Sequence, residues 1–207
     1  MPAGTTTDSP GLLVRPPELA VVLIDVQPRF VDSCHTAAEP VLARLEQLLI
    51  ICNWFQLPVL ATFEEPVAEK GQLDPRLVPH LPDTAQTFNK QSYSLAGEPE
   101  IVTALAQLDR PRLAVAGSET DVCVLQSVLG LIELGYEVFL LEDCVFSSEP
   151  NTGPALERMR QAGAVPSTYK SLFYELLQTD DPTTWDQQQS EATRQGFIAP
   201  ESLPPLE

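Results

Sequence analysis

Apolar residues in this chain fall into short runs that alternate with stretches of helical spacing. "LAVVLID" (19–25) is rich in Val and Ile, ends on an acid, and reads as a buried parallel strand. "LPVLATF" (57–63), "RLAVAG" (112–117), "YEVFLLED" (136–143) and "AVPSTY" (164–169) read as further strands. Between them, residues 39–55, 98–108, 120–135, 152–163 and 171–178 space their apolar positions as helices. Pro40 opens the first helix, and Gly135 and Gly163 close the third and fourth. Residues 64–86 are rich in Pro, Glu and Asp with little period and read as a long loop. "QTFNKQSYS" (86–94) holds at most a short strand end. Strands alternating with helices predict an α/β fold: a three-layer α/β/α sandwich around a mainly parallel, doubly wound, Rossmann-like sheet. No internal repeat is visible.

Length and composition agree with one domain. The 207 residues can bury one sizeable core. The pattern divides them into an N-terminal extension (1–17), an α/β domain (18–180) and a polar, Gln- and Pro-rich tail (181–207) with at most one marginal helix. The net charge of −17 argues against nucleic acid or an anionic membrane as a partner. No apolar window is long enough for a membrane span, and the first twenty residues lack a secretory pattern, which points to a cytoplasmic chain. Cys34, Cys52, Cys123 and Cys144 fit no zinc spacing and read as free thiols. With only His35 and His80, a multi-histidine metal site is nearly excluded.

Candidate chemistry follows from where ligands bind in such folds, at the carboxyl ends of the strands. Asp25 ends the first strand, Lys90 lies at or just past a strand end, and Cys123 follows the third strand. An acid, a base and a thiol therefore gather on one sheet edge. Cys123 would occupy the first helical turn, with Thr120 or Asp121 as N-cap, where backbone N–H groups and the helix dipole favour a thiolate and an oxyanion. A carboxylate could take the thiol proton, and an ammonium could favour the ionised states. Each residue also has an ordinary reading: Cys123 as a buried small hydrophobe, Asp25 as a cap, Lys90 as a solvated loop lysine. Cys34, Cys52 and Cys144 read as structural. His35 and His80 read as surface residues, although His35 is close enough to Asp25 in sequence to approach the pocket.

Three segments together, "LIDVQPRF" (23–30), "FNKQSYS" (88–94) and "VAGSETDVCVLQSVLGLIELGYEVFLLEDCV" (115–145), resemble the isochorismatase-like cysteine hydrolases over roughly residues 18–178. That resemblance implies an Asp25–Lys90–Cys123 triad in a cysteine hydrolase acting on a small molecule's C–N bond through a thioester-type intermediate. It implies a cis peptide at Ser118–Glu119, backbone N–H groups of Glu119 and Cys123 as an oxyanion hole, and Gln27 and Phe30 near the pocket. It also implies a homo-oligomer, as a dimer, tetramer or octamer. Nicotinamidases of this family hold a metal with an Asp and closely spaced histidines; "ATFEEPVAEKGQ" lacks that pattern, so neither metal nor cofactor is expected. Cys123 argues against the enol-ether cleavage of isochorismatase itself. The alternatives are an ester or carbamoyl hydrolase, or a non-catalytic oligomeric binding protein that keeps the fold.

Overall fold

A computed structural model describes residues 11–178; the tail expected over 181–207 lies outside the described residues, as do positions 1–10 of the expected N-terminal extension. Six strands form one sheet: β1 (Leu19–Ile24), β2 (Val59–Glu64), β3 (Gln86–Lys90), β4 (Arg112–Ser118), β5 (Glu137–Phe146) and β6 (Val165–Ser167). Their order is β3-β2-β1-β4-β5-β6, and every pairing is parallel. The chain runs outward from β1 to one edge, returns beside β1 as β4, and runs outward to the other edge. The switch point therefore lies between β1 and β4, where a ligand crevice opens at the strands' carboxyl ends.

Strand alternation builds the two sides of the core. Leu19, Val21 and Leu23 of β1 face one apolar layer with Val59, Ala61 and Phe63 of β2. This layer takes the buried stripes of α2 (Ala38–Phe55) and α7 (Tyr169–Leu177), where Trp54 stacks on Phe173 at 5.6 Å. Ala20, Val22 and Ile24 face the other layer with Leu113 and Val115 of β4. That layer takes α4 (Pro99–Gln107), α5 (Leu125–Glu133) and α6 (Gly153–Ala162). Because β1 is covered on both faces, all six of its residues are buried, which is why its sequence is a continuous apolar run instead of an alternating one.

Several boundaries differ from the sequence reading, each for a local reason. The stretch read as the loop 64–86 contains α3 (Val67–Lys70), a single turn too short to show a period, and begins with the last residue of β2. The turn α1 (Pro28–Asp32) was likewise hidden by its length. The end of β5 lies beyond its acids: Glu142 pairs with Arg160 and Asp143 accepts the Tyr169 N–H, so charge is tolerated inside the strand. β6 keeps three residues, with Pro166 on the sheet edge where its missing N–H costs no ladder bond. The expected helix 120–135 divides into a π-turn (Thr120–Val124) and α5. Neither Thr120 nor Asp121 is its N-cap: Glu119 holds that place without a side-chain cap, and Asp121 accepts from the Ser147 hydroxyl.

Candidate active site

Four consecutive positions in the sheet contribute to one buried cluster, each from the carboxyl end of its strand. Asp25 follows β1, Glu64 ends β2, Lys90 ends β3, and Cys123 follows β4. Asp25 breaks from the strand with a left-handed backbone, φ 48°. That conformation is held by its N–H on the Thr62 carbonyl and by the Ser118 hydroxyl on its own carbonyl, at 2.7 Å. The turn swings the carboxylate out of the sheet's alternation and toward the neighbouring strands.

The polar contacts are specific. The Lys90 ammonium lies 2.7 Å from Asp25 Oδ2, both side chains having no exposure to solvent. Thr62 donates its hydroxyl to Asp25 Oδ1 at 2.9 Å. Lys90 also donates to the Ser92 carbonyl and lies 3.8 Å from Glu64 Oε2. The Cys123 thiol, 2 % exposed, donates to Glu64 Oε2 at 3.0 Å, and one donor atom each from Asp25, Glu64 and Cys123 fall within 4.8 Å of one another. Asp25, Lys90 and Cys123, separated by up to 98 positions in the chain, thus meet in one place.

Ionisation follows from burial and charge. Burial pushes the Asp25 carboxyl above its ordinary range, against the opposing pull of Lys90 and the Thr62 hydroxyl. Burial likewise pushes the Cys123 thiol well up; the Asp25 charge adds to this, and Lys90 opposes it. Burial also acts upward on Glu64, but hydrogen bonds from Cys123 and Lys70 and the charge of Lys90 outweigh it, so this carboxyl sits below its usual value. The cluster therefore holds a thiol whose proton is favoured beside two carboxyls shifted in opposite directions, Asp25 up and Glu64 down. Asp25, Glu64 and Cys123 offer donors that could converge on a cation, but the Lys90 ammonium already supplies the positive charge between the two carboxylates.

Glu64 and Lys70 were not found in the sequence. Placing the end of the second strand at residue 63 put Glu64 in a loop, although it repeats the strand-end acid that identified Asp25. Lys70, on α3, forms an ion pair with Glu64 Oε1 and reaches across the Phe30 ring at 5.9 Å. Phe30 is half-buried beside this pair. Gln27, expected near the pocket, spends its whole amide on backbone. Its Oε1 accepts the Glu64 N–H at 2.7 Å, and its Nε2 donates to the carbonyls of Glu64 and Gly71. The Ser118–Glu119 peptide is cis, and the Glu119 carboxylate accepts from the N–H and hydroxyl of Ser148.

The other candidates lie elsewhere. Cys52 and Cys144 are fully buried in the apolar layer under α2. Cys34 is half-buried and contacts the Thr36 hydroxyl. His35 is exposed and donates its backbone N–H to the Ser147 carbonyl, at a cleft of about 480 Å³ that it lines with Arg44, Asp143 and Phe146. Thr120, on the same turn as Cys123, also lines that cleft. His80 is half-buried, its carbonyl accepting from Asn53. Among the described residues, no helix is long and apolar enough to cross a membrane.

Comparison with known proteins bears on the fold and the family. Isochorismatase family protein 1B of Dictyostelium discoideum is 32 % identical over 168 residues, covering 79 % of this chain and 80 % of that protein. Two solved structures share the fold. The octameric hydrolase YcaC of Escherichia coli, described as of unknown specificity, gives a TM-score of 0.78 at 24 % identity over 90 % of this chain and 94 % of that one. The nicotinamidase/pyrazinamidase PncA of Bacillus subtilis gives 0.65 at 18 % identity over 72 % of this chain and 99 % of that one. The isochorismatase domain model matches residues 19–171, the whole span that carries the sheet and the buried cluster, and the chain belongs to the isochorismatase family of hydrolases.

Proposed function

We propose that this chain is a cysteine hydrolase that cleaves an amide-type C–N bond of a small molecule, with Asp25, Lys90 and Cys123 as its catalytic group. The observation that carries this reading is the fully buried Lys90–Asp25 pair beside a thiol. A buried pair of this kind costs desolvation that an apolar pair would avoid, and chemistry is a reason to keep it. The amidase described for Bacillus subtilis PncA, which has the same fold, supports the choice of amides.

The steps balance without further reagents. Asp25 takes the thiol proton as Sγ bonds to the carbonyl carbon. The backbone N–H groups of Glu119 and Cys123 receive the developing oxyanion. Asp25 returns the proton to the departing nitrogen as the C–N bond breaks, leaving a thioester. Water then attacks the thioester, giving its proton to Asp25; the acid leaves and the proton returns to sulfur. Lys90 keeps Asp25 ionised between proton transfers and balances the charge that moves through the site. The raised carboxyl of Asp25 suits a group that must both accept and release a proton. Assembly into a homo-oligomer belongs to the same reading, by analogy with octameric YcaC.

The test is the pH dependence of Cys123 alkylation by iodoacetamide, located by peptide mapping, in the wild type and in Asp25→Asn and Lys90→Ala. Faster labelling of Cys123 than of Cys34, lost in both variants, supports a coupled nucleophile and justifies a screen of small amides. Labelling that is slow and indifferent to both substitutions overturns the mechanism and favours a binding role.

A further inference from the structure

Glu64 is placed beside the reacting sulfur but has no part in the three-residue mechanism. Its two oxygens have different partners: Oε1 is taken by Lys70, while Oε2 accepts the thiol hydrogen, with Lys90 standing off at 3.8 Å. Its main chain is clamped on both sides by the Gln27 amide, which is tied in turn to Gly71. The carboxylate is therefore fixed from backbone and side chain alike. Exposure rises outward through the cluster. The side chains of Asp25 and Lys90 have none, that of Glu64 has 12 % and that of Lys70 has 22 %. Of these four side chains, Glu64 and Lys70 are the ones that reach solvent.

We propose that Glu64 Oε2 receives an N–H of the substrate and makes this site select amides over esters. This rests on the hydrolase reading above and adds its specificity. When Cys123 gives its proton to Asp25, Oε2 loses its donor and is left 3.0 Å from a sulfur gaining negative charge. A carboxylate oxygen so enclosed needs a replacement donor. The nitrogen attached to the attacked carbonyl brings one, and that hydrogen stays on nitrogen throughout, since the proton for the leaving group comes from Asp25. An ester places an oxygen there, with lone pairs facing a carboxylate and a thiolate. A site built to bond an N–H rejects the analogue lacking it, because its own buried group is then left unpaired. An ion pair with Lys70 alone does not account for Glu64, because that pair uses the other oxygen.

The probe pair is iodoacetamide and methyl iodoacetate. In both, sulfur bonds to the CH2 carbon and iodide leaves with the electron pair; they differ in carrying NH2 or OCH3 on the adjacent carbonyl. The quantity read is the ratio of Cys123 labelling rates, amide over ester, divided by the same ratio for N-acetylcysteine. The wild type is expected to show about tenfold or more, the effect of one hydrogen bond to a charged group. Glu64→Leu is expected to fall to within about threefold of N-acetylcysteine. A wild-type ratio equal to that of the free thiol overturns the inference without any variant, and leaves the hydrolase reading standing if Cys123 is still labelled rapidly. A high ratio that survives Glu64→Leu also overturns it, assigning selection to another group. Failure of both reagents to label Cys123 overturns both readings together.

Discussion

Replacing Lys90 with Met keeps the length of the side chain and removes its charge, leaving Asp25 as a carboxylate with no exposure and no cation in contact. Breaking a buried pair in this way costs about 3–5 kcal/mol when the remaining charge cannot escape. Asp25 has an escape, which is to bind a proton. From an unfolded value near 3.9, holding that proton at pH 7 costs at most about 4 kcal/mol, at about 1.4 kcal/mol per pH unit. The wild-type carboxyl is already raised by burial, so part of this cost is present before the substitution. The variant is therefore expected to be about 2–4 kcal/mol less stable than the wild type at pH 7. The sign of the pH dependence follows from proton counting. In the variant the folded state holds a proton that the unfolded state releases, so its stability falls as pH rises through that interval. The deficit should shrink by up to about 1.4 kcal/mol per unit as the pH is lowered from 7 toward 5. Urea unfolding at pH 5, 6 and 7 reads it directly. A deficit that is the same at pH 5 and pH 7 would refute the reasoning, since it would mean that Asp25 takes up no extra proton when Lys90 is removed.

Further substitutions probe the support of the site. Gly117 has φ 119° and pairs with Ile24 across β1 and β4; an added Cβ would lie 1.9 Å from the Ile24 carbonyl oxygen, so Gly117→Ala should lose about 3 kcal/mol or more in urea unfolding, and a loss under 1 kcal/mol would contradict that approach. Gln27→Leu removes three hydrogen bonds from the main chain of Glu64 and Gly71, with an expected cost of about 2–4 kcal/mol and slower Cys123 alkylation; unchanged values of both would show that the clamp is dispensable. Because Asp25 must be ionised to accept the thiol proton and its carboxyl is raised, the acid limb of the alkylation profile should lie above the ordinary carboxylate range and disappear in Asp25→Asn. A limb that persists unmoved in that variant assigns the titration elsewhere.

The site was legible where sequence and position carried the same message. Asp25 stood out because it ends an apolar run with an acid, and Cys123 because it follows a polar turn just past another apolar strand. Lys90 was visible only through the company of the other two, since "FNK" is too short to show strand alternation. Glu64 was lost to a boundary shift of one residue: with the strand ended at Phe63, the same strand-end acid that marked Asp25 was counted as loop charge. Gln27 was placed near the pocket, but its role on the backbone depends on two strands and a turn meeting, which no local pattern encodes. The π-turn under Cys123 was equally hidden, because an apolar spacing that suits an α-helix from residue 120 also suits a wider first turn followed by α5.

β3 is an edge strand, paired with β2 on one side and with no other strand among the described residues. It carries Lys90 at its end, whereas the other three members of the cluster belong to the sheet's interior strands. The counter-charge of the site is thus mounted on a strand held by backbone pairing on one side only. Release of β3 alone would withdraw the ammonium and leave the acid and thiol in place, switching the chemistry off without unfolding the core. Amide-exchange protection along Gln86–Lys90 and the reactivity of Cys123 would then rise and fall together, which makes the thiol a reporter of how firmly one border of the sheet is closed.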